Sequence, residues 1–520
     1  MHFVSARRDH RLIAVGSALI ALAFVAVLAF AARAQATETI YWDNYRAPTE
    51  KDFVSFADIS GSGGGALNLG ASKLESPEGM AYDTVTNRLF VGSQLGSNGQ
   101  ILAINLDGSG ATPFTAPGAP IEGPEGIAVD PATRTIYWEN TSGEGSIAWA
   151  NLDGSAGGVL NTSGAPLENP CCRIALDPVA GRVYWVNGPH TIGFANVNNT
   201  GGGELSLAGT TIEPGGEGLS VDPAAGRLYF LGSVSTEEGI GFANLNNTGG
   251  GDVPLGTGVM NGAWGLALDP SINRLYWGNE SNAEERENAL GFVGTNGAGG
   301  GGISIATAPL DGPQDPVILK SPSGTGAPAI TRDSKNPAAL SCSTGSWAAD
   351  FPGSFVYQAP RSFGYQWALN GAAIAGATAS TFTATTPGAY TCTVTATNQT
   401  GSASQSSGAS IQVKAAKVKL TVKPKTAKAK AGKIAKFKVK ALNQGDLQTK
   451  NAKVCVKVPK KAKKALKAKC KSIGKVGALK SKTTKLQVKL KPAAEGSYKV
   501  KIQVKGSSGK AVKATIKVVG

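Results

Sequence analysis

The sequence predicts an all-β chain: a six-bladed β-propeller followed by two β-sandwiches. Three observations carry this. Glycine supplies 69 of the 520 residues, roughly twice the usual share, which favours tight turns and short strands. One pattern recurs six times with a period in the middle forties between residues 37 and 319. Past residue 413, apolar residues alternate with lysines at the period of half-buried strands.

Residues 1–36 read as an export signal. Arg7, Arg8 and Arg11 precede an apolar run from Leu12 to Ala32, and Ala34-Gln35-Ala36 offers a small-x-small cleavage site. The run is long enough to span a bilayer, so an uncleaved anchor is the competing reading. Both place the rest of the chain outside the cytoplasm, at the cell envelope or beyond it.

The clearest repeat runs from Gly123-Pro124-Glu125-Gly126 through Asp130-Pro131 to Tyr137-Trp138-Glu139-Asn140, and ends in the turn Leu152-Asp153-Gly154-Ser155. The Trp138 position recurs at Trp42, Val91, Trp185, Phe230 and Trp277, at spacings of 49, 47, 47, 45 and 47 residues. Several short strands per period mark a propeller blade, and blades that bury their faces only against neighbours must close into a ring. The first copy opens directly at Ile40-Tyr41-Trp42, and its missing first segment stands at the far end as Pro313 to Leu319. That segment is expected to supply the innermost strand of the first blade, removing an open sheet edge.

These repeats resemble the YWTD-type six-bladed propellers of the low-density lipoprotein receptor family. The likeness rests on Tyr41-Trp42, Tyr137-Trp138, Tyr184-Trp185 and Tyr276-Trp277, and on the turns at Leu106 and Leu152. The family's motif ends in Asp, whereas Asn44, Ser93, Asn140, Asn187, Gly232 and Asn279 stand here. Asn can still bond neighbouring backbone, so the structural role is expected to survive. The likeness implies architecture and carries over no ligand-binding residue.

The innermost strands should begin at one mouth of the channel. In register there stand Glu78, Glu125, Cys172, Glu217, Trp264 and Gln314, the candidate ligand-binding ring. Glu78, Glu125 and Glu217 could together bind a hard cation such as Ca²⁺, the basis of an alternative reading as a propeller hydrolase or lactonase. Against that stands a plain turn role for each Pro-Glu-Gly. Trp264 offers a stacking surface or a channel plug. Beyond the signal the chain has one histidine, His190, so no Ser-His-Asp set can be assembled. No catalytic residue and no required cofactor is assigned.

Residues 320–413 carry Cys342, Trp367 and Cys392 in order, with Tyr390 two residues before the second cysteine. This resembles the immunoglobulin fold, where the cysteines bridge two sheets, the tryptophan packs on the bridge and the tyrosine forms a corner. Such a module presents or spaces its neighbours. Residues 414–520 resemble the conserved-repeat and adhesion-related β-sandwiches of bacterial surface proteins, on Asn443-Gln444-Gly445, Val454 to Pro459, Cys470, Gly474 and Gly496-Ser497-Tyr498. Both modules are expected to be immunoglobulin-like sandwiches. The even cysteine count of an exported chain points to three disulfides: Cys342 with Cys392, Cys455 with Cys470, and vicinal Cys171 with Cys172.

The net charge of +15 conceals a split. From Lys414 onward there are 33 lysines, no arginine and two acids, Asp446 and Glu495, while the preceding residues carry 18 basic and 34 acidic groups. Without arginine forks or stacking aromatics, sequence-specific nucleic-acid reading is not expected. Lysine suits diffuse contact with anionic envelope polymers or lipid headgroups, and Lys499, Lys501, Lys505 and the Lys460, Lys461, Lys463, Lys464 cluster are the candidate contacts. The combined expectation is a non-enzymatic binding or adhesion protein whose propeller recognises a protein or glycan.

Overall fold

The computed structural model describes residues 38–45, 52–94, 99–188, 190–280 and 286–520. The export segment therefore lies outside the described residues. Two compact units emerge, and the first is the propeller.

Each blade is a four-stranded antiparallel meander running from the channel outward. In blade 3 the strands are Pro124–Asp130, Thr135–Asn140, Ser146–Asn151 and Gly157–Val159. The innermost strand is buried along its whole length because both faces meet neighbouring blades, so it cannot alternate apolar with polar. Blades 2, 4, 5 and 6 repeat the plan from Pro77–Asp83, Pro170–Asp177, Glu213–Asp222 and Ala263–Asp269.

The glycine excess has a local cause in blades 4 to 6. Phe194, Phe242 and Phe292 on the third strand each lie over a glycine of the fourth. A Cβ at Gly203, Gly251 or Gly301 would meet the ring 2.8 to 2.9 Å away. The guanidinium of Arg182, Arg227 or Arg274 covers each ring from 4.1 to 4.7 Å.

Ring closure follows the expected clasp. Pro313–Lys320 pairs antiparallel with Glu38–Asn44, setting Ile40 opposite Ile318 and Tyr41 opposite Val317. The same closing strand lies beside Pro77–Asp83 of blade 2 and Ala263–Asp269 of blade 6.

The propeller unit also takes in residues 348–361 and 397–403, which the sequence reading placed wholly in the following module. The reason is apolar burial. Val356 and Tyr357 form a parallel extension on Ile318 and Leu319, and Phe355, Val356 and Tyr357 join the core of Ile40, Trp42 and Met80. Ser354 Oγ donates to the Val221 carbonyl.

The second unit comprises residues 324–347, 362–396 and 404–520. In its first sandwich the Cys342–Cys392 disulfide joins two sheets, and fully buried Trp367 belongs to the same core. Tyr390 Oη donates to the Thr386 carbonyl at 2.7 Å, fixing a corner of the chain. The second sandwich layers one sheet of Val418–Lys423, Ile434–Asn443, Ser481–Leu490 and Leu466–Ala468 on another. The other sheet holds Thr426–Lys430, Val512–Val519, Ser497–Lys505, Ala452–Lys457 and Lys471–Gly474. Phe437, Val439, Leu486, Ile502 and Ile516 fill the space between, so the intervening lysines point outward. Cys455 and Cys470 are bonded.

Candidate functional site

Every innermost strand begins with an irregularity in the same place. The pairing register slips between Glu78 and Met80 in blade 2, and at the matching points of the other blades. At this slip four blades place glycine: Gly79, Gly126, Gly218 and Gly265. Added side chains would strike the next blade, since a Cβ at Gly126 would lie 2.3 Å from Ile174 N and one at Gly265 2.3 Å from Asp315 N. The other two blades put Arg173 and Asp315 there.

Arg173 belongs to blade 4 and Asp315 to blade 1, which face each other across a six-membered ring. The Arg173 Nε donates to Asp315 Oδ1, and Nη2 donates to Gln314 Oε1 at 3.1 Å. Glu78 Oε2 lies 3.9 Å from Nη1, and the Trp264 ring centroid lies 5.3 Å from the guanidinium carbon. Asp315 Oδ2 accepts a bond from Gly79 N at 2.7 Å. Behind this strut is a cavity of about 20 Å³ lined by Arg173, Asp315, Met80, Ile127 and Phe355. That is room for about one water molecule.

The structure thus brings five of the six predicted ring residues around Arg173. Glu78 and Glu125 are buried and share the Gln94 amide, each 3.3 Å from Nε2, and Glu125 Oε1 also accepts from Thr141 Oγ1 at 2.8 Å. Gln314 bonds Arg173, Trp264 is half-buried against it, and Cys172 gives it a carbonyl. Cys172 is bonded to Cys171. Glu217 is half-buried, and blade 5 carries it on a longer irregularity between Pro214 and Leu219.

Glu78, Glu125 and Glu217 do not form a metal-sized group. Among the described residues the one cluster with ligand atoms within 4.8 Å of one another is Glu125, Cys171 and Cys172, whose sulfurs are already joined. The cation beside Glu78 and Glu125 is the Arg173 guanidinium. These residues therefore do not fit the Ca²⁺ site that the lactonase alternative needs.

Two further carboxylates escaped the sequence reading. Asp43 and Glu139 follow Trp42 and Trp138 and are fully buried; neither Glu139 oxygen has a hydrogen-bond partner, while Asp43 lies against the Asp315 carboxyl. Burial drives both well above the ordinary carboxylate range, the Asp315 charge adding to this at Asp43 and the Glu125 charge at Glu139. Burial likewise pushes Glu78 up to about 8, with Arg173 pulling back. Glu125 and Glu217 are raised for the same first cause. Burial works to deprotonate Arg173, but Asp315, Glu78, Asp43 and Glu125 outweigh it and raise its pKa. Arg173 and Asp315 also went unread in the sequence, though a signal was present: both break a column of glycines one residue past the ring.

The Asn that ends four of the six motifs has a definite job, seen most fully at Asn140 and Asn279. Asn140 Oδ1 accepts from Trp138 Nε1 at 3.1 Å and Glu122 N at 2.9 Å, while Nδ2 donates to the Pro120 carbonyl at 3.2 Å and Ser146 Oγ at 3.0 Å. Asn279 does the same for Trp277, Asn261, Val259 and Asn288. Asn187 accepts from Trp185 at 2.9 Å. A carboxylate could accept these bonds but could not donate to the carbonyls.

The second candidate surface is the lysine-rich sandwich. One sheet carries ten exposed strand lysines and the other nine. Neither acid of this segment lies on a strand, and Asp446 accepts from Lys414 N at 2.8 Å and pairs with Arg332 at 3.2 Å. Lys499, Lys501 and Lys505 stand exposed on one strand, while Lys460, Lys461, Lys463 and Lys464 are exposed in the connection after Pro459.

No protein-family model matches the chain, and no curated protein matches it. Among solved structures it is similar to a chain of a nidogen–laminin complex, at 17% identity and TM-score 0.39, covering 54% of this chain and 98% of that one. It is similar to TolB from Acinetobacter baumannii, at 13% identity and TM-score 0.41, covering 60% of this chain and 74% of that one. A gluconolactonase from Xanthomonas campestris shares 16% identity at TM-score 0.34, over 51% of this chain and 82% of the other. The six-bladed architecture stands on the sheet order and ring closure, not on these likenesses.

Proposed function

We propose that the chain is an exported, non-enzymatic binding protein. Its propeller recognises a protein or glycan at the Glu78–Trp264 mouth, and its immunoglobulin-like segment acts as a spacer. Its lysine-rich sandwich, similar to adhesion modules, holds the protein to anionic envelope polymers or lipid headgroups. The observation that carries this reading is the sandwich surface: every strand charge is an exposed ammonium, and no carboxylate stands among them. The propeller mouth supports it, because an Arg173–Asp315 strut and a cavity of about 20 Å³ leave little room for a substrate within the channel.

The test is sedimentation of the full chain with purified anionic cell-wall polymer, anionic liposomes and random-sequence DNA at rising salt. Binding should weaken log-linearly with salt as counterions are exchanged, with little dependence on DNA sequence. Lys499→Gln, Lys501→Gln and Lys505→Gln together should lower the slope with the fold intact. Indifference to all three polyanions at low salt would remove the adhesion reading. Lactone or ester turnover that stoichiometric metal supports and Glu125→Gln abolishes would replace it with an enzyme.

A further inference from the structure

The lysines are not scattered over the sandwich; strand register lines them up. On one sheet Lys457 stands opposite Lys501, and Lys501 opposite Lys513, so three ammoniums form a row across three adjacent strands. The next outward row holds Lys499, Thr515 and Thr426. These two rows line a groove of about 630 Å³ with Lys425 and Pro459 at its margin. On the other sheet Lys423 stands opposite Lys438, and Lys438 opposite Lys485. Its neighbouring row is Thr421, Lys440 and Thr483. Both outer faces therefore repeat one arrangement, a triple-lysine row beside a row of hydroxyls and one lysine.

Like charges directly opposite each other on adjacent strands, about 5 Å apart, destabilise a sheet. Here they recur on both faces without a neighbouring acid, so each row is an incomplete electrostatic unit that a linear oxyanion would complete. The ammoniums and hydroxyls of a row all donate hydrogen bonds, which suits phosphate oxygens. The two faces look away from each other because one apolar core separates them. Sheets pack about 10 Å apart, and the side chains add to that on each side. Polymers on the two faces would thus lie further apart than the Debye length of about 8 Å at physiological ionic strength, and would repel each other little.

We infer that the sandwich is bivalent: each outer face binds one strand of a phosphate-bearing polyanion, and the protein bridges two polymer strands. This rests on the polyanion-binding reading above and adds to it a stoichiometry and a consequence, cross-linking.

The experiment uses the full chain and linear inorganic polyphosphate. Polyphosphate-coated beads should cluster with the wild-type protein and disperse at high protein excess, as expected of a bridge. One variant carries Lys457→Gln, Lys499→Gln, Lys501→Gln, Lys513→Gln and Lys517→Gln; the other carries Lys423→Gln, Lys438→Gln, Lys440→Gln, Lys485→Gln and Lys489→Gln. Each should still bind beads but lose clustering, and together they should abolish binding. A short-chain polyphosphate should titrate at two per wild-type molecule and one per single-face variant. Neutralisation of bulk charge alone would cost clustering only in proportion to the few lysines lost. Clustering retained by either single-face variant, or wild-type binding at one short chain per molecule without clustering, overturns bivalency. Absence of any wild-type binding at low salt instead sinks the adhesion reading beneath it.

Discussion

Arg173 on blade 4 and Asp315 on blade 1 meet across the propeller's axis, a contact between strands 142 residues apart in sequence. Glu78, Glu125, Asp43 and Glu139 surround them, so one guanidinium serves several buried carboxyl groups. Burial raises the pKa values of these four carboxyl groups, and the Arg173 charge offsets that only in part.

Breaking this pair from one side should be costly. Arg173→Met leaves Asp315 buried without its partner, and such losses run to about 3–5 kcal/mol. Chemical denaturation of the full chain should show the propeller transition displaced by that amount. Adding Asp315→Asn, which can still accept from Gly79 N, should recover part of the loss. An unchanged transition in Arg173→Met would show that the strut contributes nothing to stability.

The carboxyls set a pH dependence of definite sign. Glu78 titrates near 8 in the folded chain against 4.5 as its ordinary value, so the folded state binds the extra proton between these limits. Its contribution is complete below about pH 4.5 and is lost as pH rises through 8. Arg173, Glu125, Asp315 and Glu280 all act on this group, and Asp43, Glu125 and Glu139 shift in the same direction. The propeller's melting temperature should therefore fall by several degrees between pH 5 and 8.5, and Glu78→Gln should flatten the decline. A melting temperature that rises over this range would contradict it.

Placing an aspartate at the end of a blade motif should harm this chain. Asn140→Asp removes the donor to Pro120 and Ser146 and faces a buried carboxylate toward a carbonyl. A loss of about 2–3 kcal/mol is expected from an unsatisfied buried group. Thermal unfolding compared with Asn140→Ser, which keeps a small donor, would measure it.

Closure can be tested by removal. Deleting residues 313–319 strips blade 1 of its inner strand and exposes the edge at Tyr41 that now pairs with Val317. Aggregation, or loss of the cooperative propeller transition, is the expected result. Unaltered solubility and melting would mean that the ring does not depend on this strand.

Much of this was legible because repeats and strand periods are local properties of a sequence. Six tryptophan-position landmarks gave the blades, the displaced Pro313 segment gave the clasp, and lysine alternation gave the faces of the last sandwich. Side-chain period fixes which residues point outward, whatever the strands' partners. Tertiary structure decided what depends on which strands meet. Arg173 finds Asp315 only because ring closure opposes blades 4 and 1. Asp43 and Glu139 become titration problems only because neighbouring blades exclude water from them. Residues 348–361 join the propeller because Phe355, Val356 and Tyr357 pack into the core of Ile40, Trp42 and Met80, a long-range outcome that no local pattern encodes. The lysine rows likewise needed strand register: composition supplied the charge, and pairing alone set Lys457, Lys501 and Lys513 side by side.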